Sequence, residues 1–220
     1  VGVTAATNRL LSTRAGEFEP FLEGEQGTYR WRGFDVAYTE AGNPDDRDLL
    51  LLHGINAAGS SHEFWRVFDE LSDDYHVVAP DLPGFGHSDR PPLLYSASLY
   101  ATFAGDAIDD LTDDPPVVVA SSLSGAYAAM GARESEVAKL ILACPADTSM
   151  GGRRTWLRSL FRLPIVGQGL YNLSVSKPAI RYFHADHGYY DTDNLPEAVV
   201  DYEWTSAHQP GARFAPASFL

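Results

Sequence analysis

An α/β protein, with a mostly parallel sheet covered by helices on both faces, is predicted by three features of the sequence. Short, continuous apolar runs recur at DLLLLHG (48–54), HVVAPD (76–81), PPVVVAS (115–121) and VAKLILACP (137–145). Strands buried on both faces read this way. Stretches with helical spacing fall between these runs, the alternation that builds parallel sheets. From about residue 150 onward no such run occurs. The text becomes aromatic, Arg-bearing and broken by Pro164, Pro178, Pro196, Pro210 and Pro216, which predicts short helices lying over the rest as a cap.

The elements follow in order. Residues 1–27 are read as an N-terminal extension, 28–149 as the core and 150–220 as the helical cap. TYRWRGFDVAYTE (28–40) places Tyr29 and Trp31, then Phe34, Val36 and Tyr38, on one face around Gly33, a two-strand meander. Ser60 and Glu63 have the spacing of a capping box. A helix with Phe64, Trp65, Phe68 and Leu71 on one face is expected after them. Residues 98–111 show helical spacing at Tyr100, Phe103, Ala107 and Leu111, and GAYAAMGAR (125–133) reads as a small-residue helix. VAKLILACP is expected to be a fourth buried strand, and Cys144 at its end a small core residue.

Composition narrows the function. A net charge of −14 argues against nucleic acid or an anionic membrane surface as partner. The charge is built from 19 Asp and 11 Glu against 14 Arg and 2 Lys, an Asp-rich, Lys-poor balance resembling proteins of high-salt cytoplasm. No run of about 18 apolar residues predicts a membrane span. Cys144 is the only cysteine, so no internal disulfide is possible, and a reducing cytoplasm is the expected location. The NLS sequon at 172–174 is read as chance. Oligomeric state is not legible.

The chemistry concentrates at VVVASSLSGAYAAM (117–130), where three serines crowd a strand-to-helix turn. A nucleophile on such a turn needs small residues two before and two after it, because strand and helix crowd there. Ser121 would place Val119 and Leu123 at those positions, a poor fit. Ser124 would place Ser122 and Ala126 there, and Ser122 would place Ala120 and Ser124. Both are permissible, and Ser122 is preferred because it follows the strand directly.

The chain thus resembles the α/β-hydrolase superfamily. A-S-S-L-S-G (120–125) is similar to its G-x-S-x-G-G nucleophile elbow, with Ala120 and Ser124 in place of the outer glycines; backbone strain is expected there. L-L-L-L-H-G-I-N (49–56) is similar to the strand ending in His-Gly that begins the oxyanion hole. D-L-P-G-F-G-H-S-D-R-P (81–91) resembles the D-x-x-G-x-G-x-S loop after the next strand. The resemblance implies acyl transfer without a cofactor on an ester or related small carbonyl substrate. Ser122 would be the nucleophile, with the backbone N–H groups of Leu123 and Ile55 holding the oxyanion. It also implies that His53 is a scaffold residue. Asn56 is either a pocket residue or a turn residue.

The family's base is a His after the last strand, and its chain order is Ser, acid, His. The string ends inside the cap, so the last strands and that His are expected to be missing, which would leave VAKLILAC as an apolar sheet edge. Asp147 sits where some members place the acid, though a loop or cap role is the plainer reading. His184-Ala-Asp-His187 has metal-like spacing but reads as part of an acidic, aromatic helix, so no metal is expected. The rival to the enzyme is a non-catalytic hydrolase-fold binding protein with an incomplete triad.

Overall fold

Strands and helices alternate through residues 25–143 of the computed structural model, which describes residues 2–147 and 154–220. The chain runs from α1 (Gly2–Ala15) through β1 (Glu25–Trp31), β2 (Phe34–Ala41) and β3 (Asp48–Leu52). Next come α2 (Phe68–Ser72), β4 (His76–Pro80), α3 (Ala97–Leu111), β5 (Val117–Ser121), α4 (Ser124–Gly131) and β6 (Lys139–Ala143). Helices α5 (Thr155–Arg162), α6 (Val166–Ser174), α7 (Lys177–Phe183), α8 (Glu197–Ala207) and α9 (Phe214–Ala217) complete it. The expected boundary at 149/150 lies outside the described residues.

The six strands form one sheet in the order β1-β2-β4-β3-β5-β6. β1 and β2 are antiparallel, with Tyr29 opposite Val36 and Trp31 opposite Phe34, as the meander predicts. β4, β3, β5 and β6 run parallel. From β3 the chain moves to β4 on one side and then crosses to β5 on the other. The carboxyl ends of β3 and β5 therefore face each other across a topological switch point, where such sheets bind ligands.

The central strands are buried on both faces, and alternate residues divide between two apolar clusters. Leu50, Leu52, Val78, Val118 and Ala120 pack with Tyr100, Phe103 and Tyr127 of α3 and α4. Leu49, Leu51, Val77 and Val117 pack with Phe64 and Phe68. Helices α3 and α4 approach closely because two glycines face each other: a Cβ on Gly131 would lie 2.6 Å from the Gly105 nitrogen. His76 bridges three strands, meeting Asp48 at 2.6 Å and Glu40 at 3.0 Å. Burial opposes its charge, but these hydrogen bonds prevail and raise its pKa.

Four expectations need correction. VAKLILACP is not a buried strand: among the described residues β6 pairs only with β5, and Ile141 and Leu142 are exposed. Cys144 is exposed too, since it follows that edge strand and turns away with φ +45°. The predicted helix after Ser60 is a 3₁₀ turn (Ser61–Phe64) followed by the short α2. Phe64 and Phe68 still enter the core, with Trp65 and Leu71 packed against it. The capping box is only half realised. The Ser60 hydroxyl accepts from the His62 N–H, but Glu63 reaches to Gly54 instead.

The extension proves structured. Asn8 of α1 donates to the Ile165 carbonyl at 2.8 Å and accepts from Asn172 at 3.1 Å, fastening α1 to α6. Phe18 stacks on His87 with centroids 4.0 Å apart, and Phe21 lies against Tyr202 of α8. The segment straps across the late helices and the loop after β4.

Candidate active site

Ser122 occupies the turn from β5 to α4 with φ +52°, a left-handed conformation that costs a residue bearing a Cβ. Three backbone hydrogen bonds hold it there. Its N–H donates to the Ala143 carbonyl at 2.9 Å, and its own carbonyl accepts from Gly125 and Ala146 at 3.1 Å each. The turn is tight because β3 ends directly beside it. A Cβ on Gly54 would lie 3.3 Å from the Ser122 Cβ, so the close approach favours glycine at position 54.

The neighbouring serines are placed differently. The Ser124 hydroxyl is buried and donates to the His53 carbonyl at 2.6 Å, tying α4 to the end of β3. Ser121 lines one of the cavities described below but keeps the backbone of a strand.

His53 is fully enclosed. Its Nε2 accepts from the Leu82 N–H at 2.9 Å, so by network assignment Nδ1 carries the proton and donates to the Gly54 carbonyl at 2.8 Å. Burial drives its pKa down, which keeps the ring neutral. It joins the loops after β3 and β4, as a scaffold residue does. Asp81 completes this junction, its carboxylate accepting from the N–H groups of Ser61 and His87 at 2.7 Å each. Glu63 braces the other side, taking the Gly54 N–H at 2.7 Å.

Two chambers flank Ser122. One, of about 560 Å³, is walled by apolar residues including Ala57, Leu123, Val175, Ile180 and Phe219. The second, of about 650 Å³, is polar and aromatic, with His62, Glu63, Trp65, Arg66, His184 and Tyr189. Ile55, Asn56, Ser122, Phe183, His187 and Glu203 line both. Leu123 is the N-cap of α4, and the start of a helix leaves N–H groups without intrahelical partners. Asn56 fills both of its expected roles: it lines the chambers while its side-chain oxygen accepts from Ala58 at 2.8 Å. Asp147 is exposed and lines neither chamber.

Sequence reasoning missed the most elaborate polar array of the site. Glu203 of α8 accepts from His62 Nε2 at 3.0 Å and from His184 Nε2 at 2.9 Å. His62 Nδ1 in turn meets the Ser60 hydroxyl at 2.7 Å, and that hydroxyl meets Tyr202 at 3.2 Å. Ser60, His62 and Glu203 thus imitate a Ser–His–acid constellation, but Ser60 is 0% exposed and cannot meet a substrate. Within His184-Ala-Asp-His187 the two rings part ways, His184 to Glu203 and His187 to Asp186. Among the described residues no group of three or more side chains is arranged to hold a metal ion. No hydrogen-bond acceptor among them stands against the Ser122 hydroxyl.

Comparison with known proteins places this arrangement in context. The Alpha/beta hydrolase family model matches residues 49–220. An uncharacterized protein of Mycobacterium tuberculosis is 33% identical over 182 residues, covering 78% of this chain and 50% of its own length. The chain therefore spans about half the length of curated relatives of this kind. Among solved structures, the epoxide hydrolase CorEH superposes with a TM-score of 0.73 at 20% identity, covering 90% of this chain and 72% of its own. A 2-hydroxy-6-oxo-6-phenylhexa-2,4-dienoate hydrolase from Rhodococcus sp. strain RHA1 gives 0.68 at 22%, covering 90% and 71%. At these identities the structural likeness shows the fold alone. No helix among the described residues is long and apolar enough to cross a membrane.

Proposed function

The chain belongs to the alpha/beta hydrolase family, and from that premise we propose that it is a serine hydrolase acting on an ester or related small carbonyl substrate. In this reading Ser122 Oγ attacks the carbonyl carbon. The N–H groups of Leu123 and Ile55 stabilise the negative charge that develops on the carbonyl oxygen. Such donors are worth about 2.7–4 kcal/mol each in a site closed to water. The observation that carries the proposal is the strained Ser122 turn, set against Gly54 and open to both chambers. A left-handed serine is a cost the fold bears at a place where it presents a hydroxyl to a cavity.

The chambers give the proposal shape. Helices α5–α9 act as the cap (150–220) over the core (28–149), with 1–27 as the strap. The apolar chamber receives a hydrocarbon portion of the substrate, and the polar chamber receives the remainder. The Asp-rich, Lys-poor surface suits a salt-rich cytoplasm.

A second reading is favoured by one observation, the lack of a base against the Ser122 hydroxyl among the described residues. An unactivated serine is a poor nucleophile, so the rival is a non-catalytic binding protein. A fluorophosphonate probe applied to the protein at its native length separates the two. Labelling mapped to Ser122 is expected. Labelling at Ser124 would overturn the register, and an unlabelled folded protein would leave the binding protein as the reading.

A further inference from the structure

Glu203 is a buried carboxylate, 7% exposed, on a wall shared by both chambers beside Ser122. Its surroundings supply hydrogen bonds from two histidines but no lysine or arginine. Among the described residues, no lysine or arginine approaches it within 4 Å; its only ion-pair partners are His62 and His184. His62 Nε2 donates to Glu203, and its Nδ1 meets the Ser60 hydroxyl, which in turn meets Tyr202. His184 donates from Nε2 and leaves Nδ1 without a partner. Burial alone would push the Glu203 carboxyl toward its neutral form, yet the hydrogen bonds from His184 and His62, with the electrostatic attraction of the same two rings, hold its pKa below the usual value. The wall thus keeps an ionised carboxylate in place.

The carboxylate has capacity to spare. Two carboxylate oxygens offer about four acceptor sites. Here Oε1 receives His62 and His184, while Oε2 receives only the shared His184 proton. The other charged groups of the polar chamber are engaged elsewhere. Glu63 adds a second carboxylate, engaged with Gly54. Arg66 lies over Trp65 at 4.4 Å and donates to the Asn194 carbonyl. His187 faces Asp186 at 3.0 Å.

We propose that Glu203 is the recognition point for an ammonium group on the substrate, so that the site selects amine-bearing carbonyl compounds over plain alkyl ones. As a statement about substrate this rests on the reading of Ser122; as a statement about binding it stands separately. The ammonium places one charge-assisted N–H on Oε2, the carboxylate oxygen that receives a single donor from the protein.

The test compares n-butylammonium with n-butanol by calorimetry on the native-length protein, both wild type and Ser122→Ala. The ammonium is expected to bind at least about tenfold more tightly to both proteins. Glu203→Gln is expected to erase that preference. Equal affinities in the wild type, or a preference that survives Glu203→Gln, would overturn the proposal. Should Glu203→Gln fail to fold, Glu203→Asp decides, since drawing the carboxylate back by one methylene should weaken the ammonium preference several-fold; an unchanged or stronger preference would overturn it. Ammonium preference without any ester turnover would sink the Ser122 reading and leave this one standing. Turnover without the preference would do the reverse.

Discussion

Ser122→Ala is expected to abolish hydrolysis by the native-length protein while leaving its fold intact. Removing a serine nucleophile from a complete catalytic constellation lowers kcat by up to roughly 10⁶-fold, because the remaining groups cannot act without it. In the proposed mechanism the residual rate would come from binding and from the proposed oxyanion donors, the N–H groups of Leu123 and Ile55. The alanine keeps a Cβ and relieves nothing in the backbone, so the thermal midpoint should move little. A panel of short-chain esters, with circular dichroism alongside, checks both halves. Turnover within tenfold of wild type would remove Ser122 from the mechanism. Ser124→Ala is the informative companion, because it breaks the bond to the His53 carbonyl. It should cost stability and leave the chemical step in place.

The second large effect is expected at Asp81, on the stability of the fold. Its carboxylate takes two backbone N–H groups on opposite oxygens, with His87 Nδ1 3.4 Å away. Burial alone would raise its pKa, but these hydrogen bonds and the His87 ring prevail and hold it well below the carboxylate range. A depressed folded-state pKa contributes stability that is present above the unfolded value, near 3.9, and is lost as pH falls below it. Asp81→Asn would turn an amide N–H toward one of the backbone donors. We expect a loss of roughly 2–4 kcal/mol near neutral pH. The wild type should also shed stability between about pH 4 and lower values, where the variant lacks that contribution. Urea midpoints from pH 3 to 7 measure both; parallel profiles for the two proteins would sink the assignment. Gly86 reports on the same junction, since a Cβ there would fall 2.0 Å from the Asp81 carboxylate, at φ +49°.

The parts of this architecture that were legible are those where one local pattern decides. β3, β4 and β5 announce themselves as apolar runs because both of their faces are covered. Residue size leaves both Ser122 and Ser124 open as the nucleophile of the serine turn, and the end of β5 directly before it favours Ser122. Features made by distant pairing were not legible. His62 and Glu203 stand 141 positions apart, and neither has a local pattern that points to the other. α1 lacks an apolar stripe and is fastened by the Asn8 amide, which hydropathy patterning does not register. Glu63 was misassigned for a different reason. The capping-box spacing is real, but the Gly54 N–H offers a partner from outside the local segment, and the carboxylate takes it. β6 shows the limit of composition: its apolar text is that of a core strand, while its burial is set by the neighbours it has.

The left-handed turn at Ser122 also sets how this protein responds to selection. Glycine, and to a lesser degree asparagine, accept that backbone more readily than serine. Substitutions to these residues remove the hydroxyl and relax the chain together. A library screened for heat resistance alone will therefore accumulate changes at position 122 that look like improvements and lack the proposed nucleophile. Among homologues the same bias should leave a trail: paralogues freed from catalysis would drift first at this residue, ahead of Asp81 or His53, whose loss the fold itself would penalise.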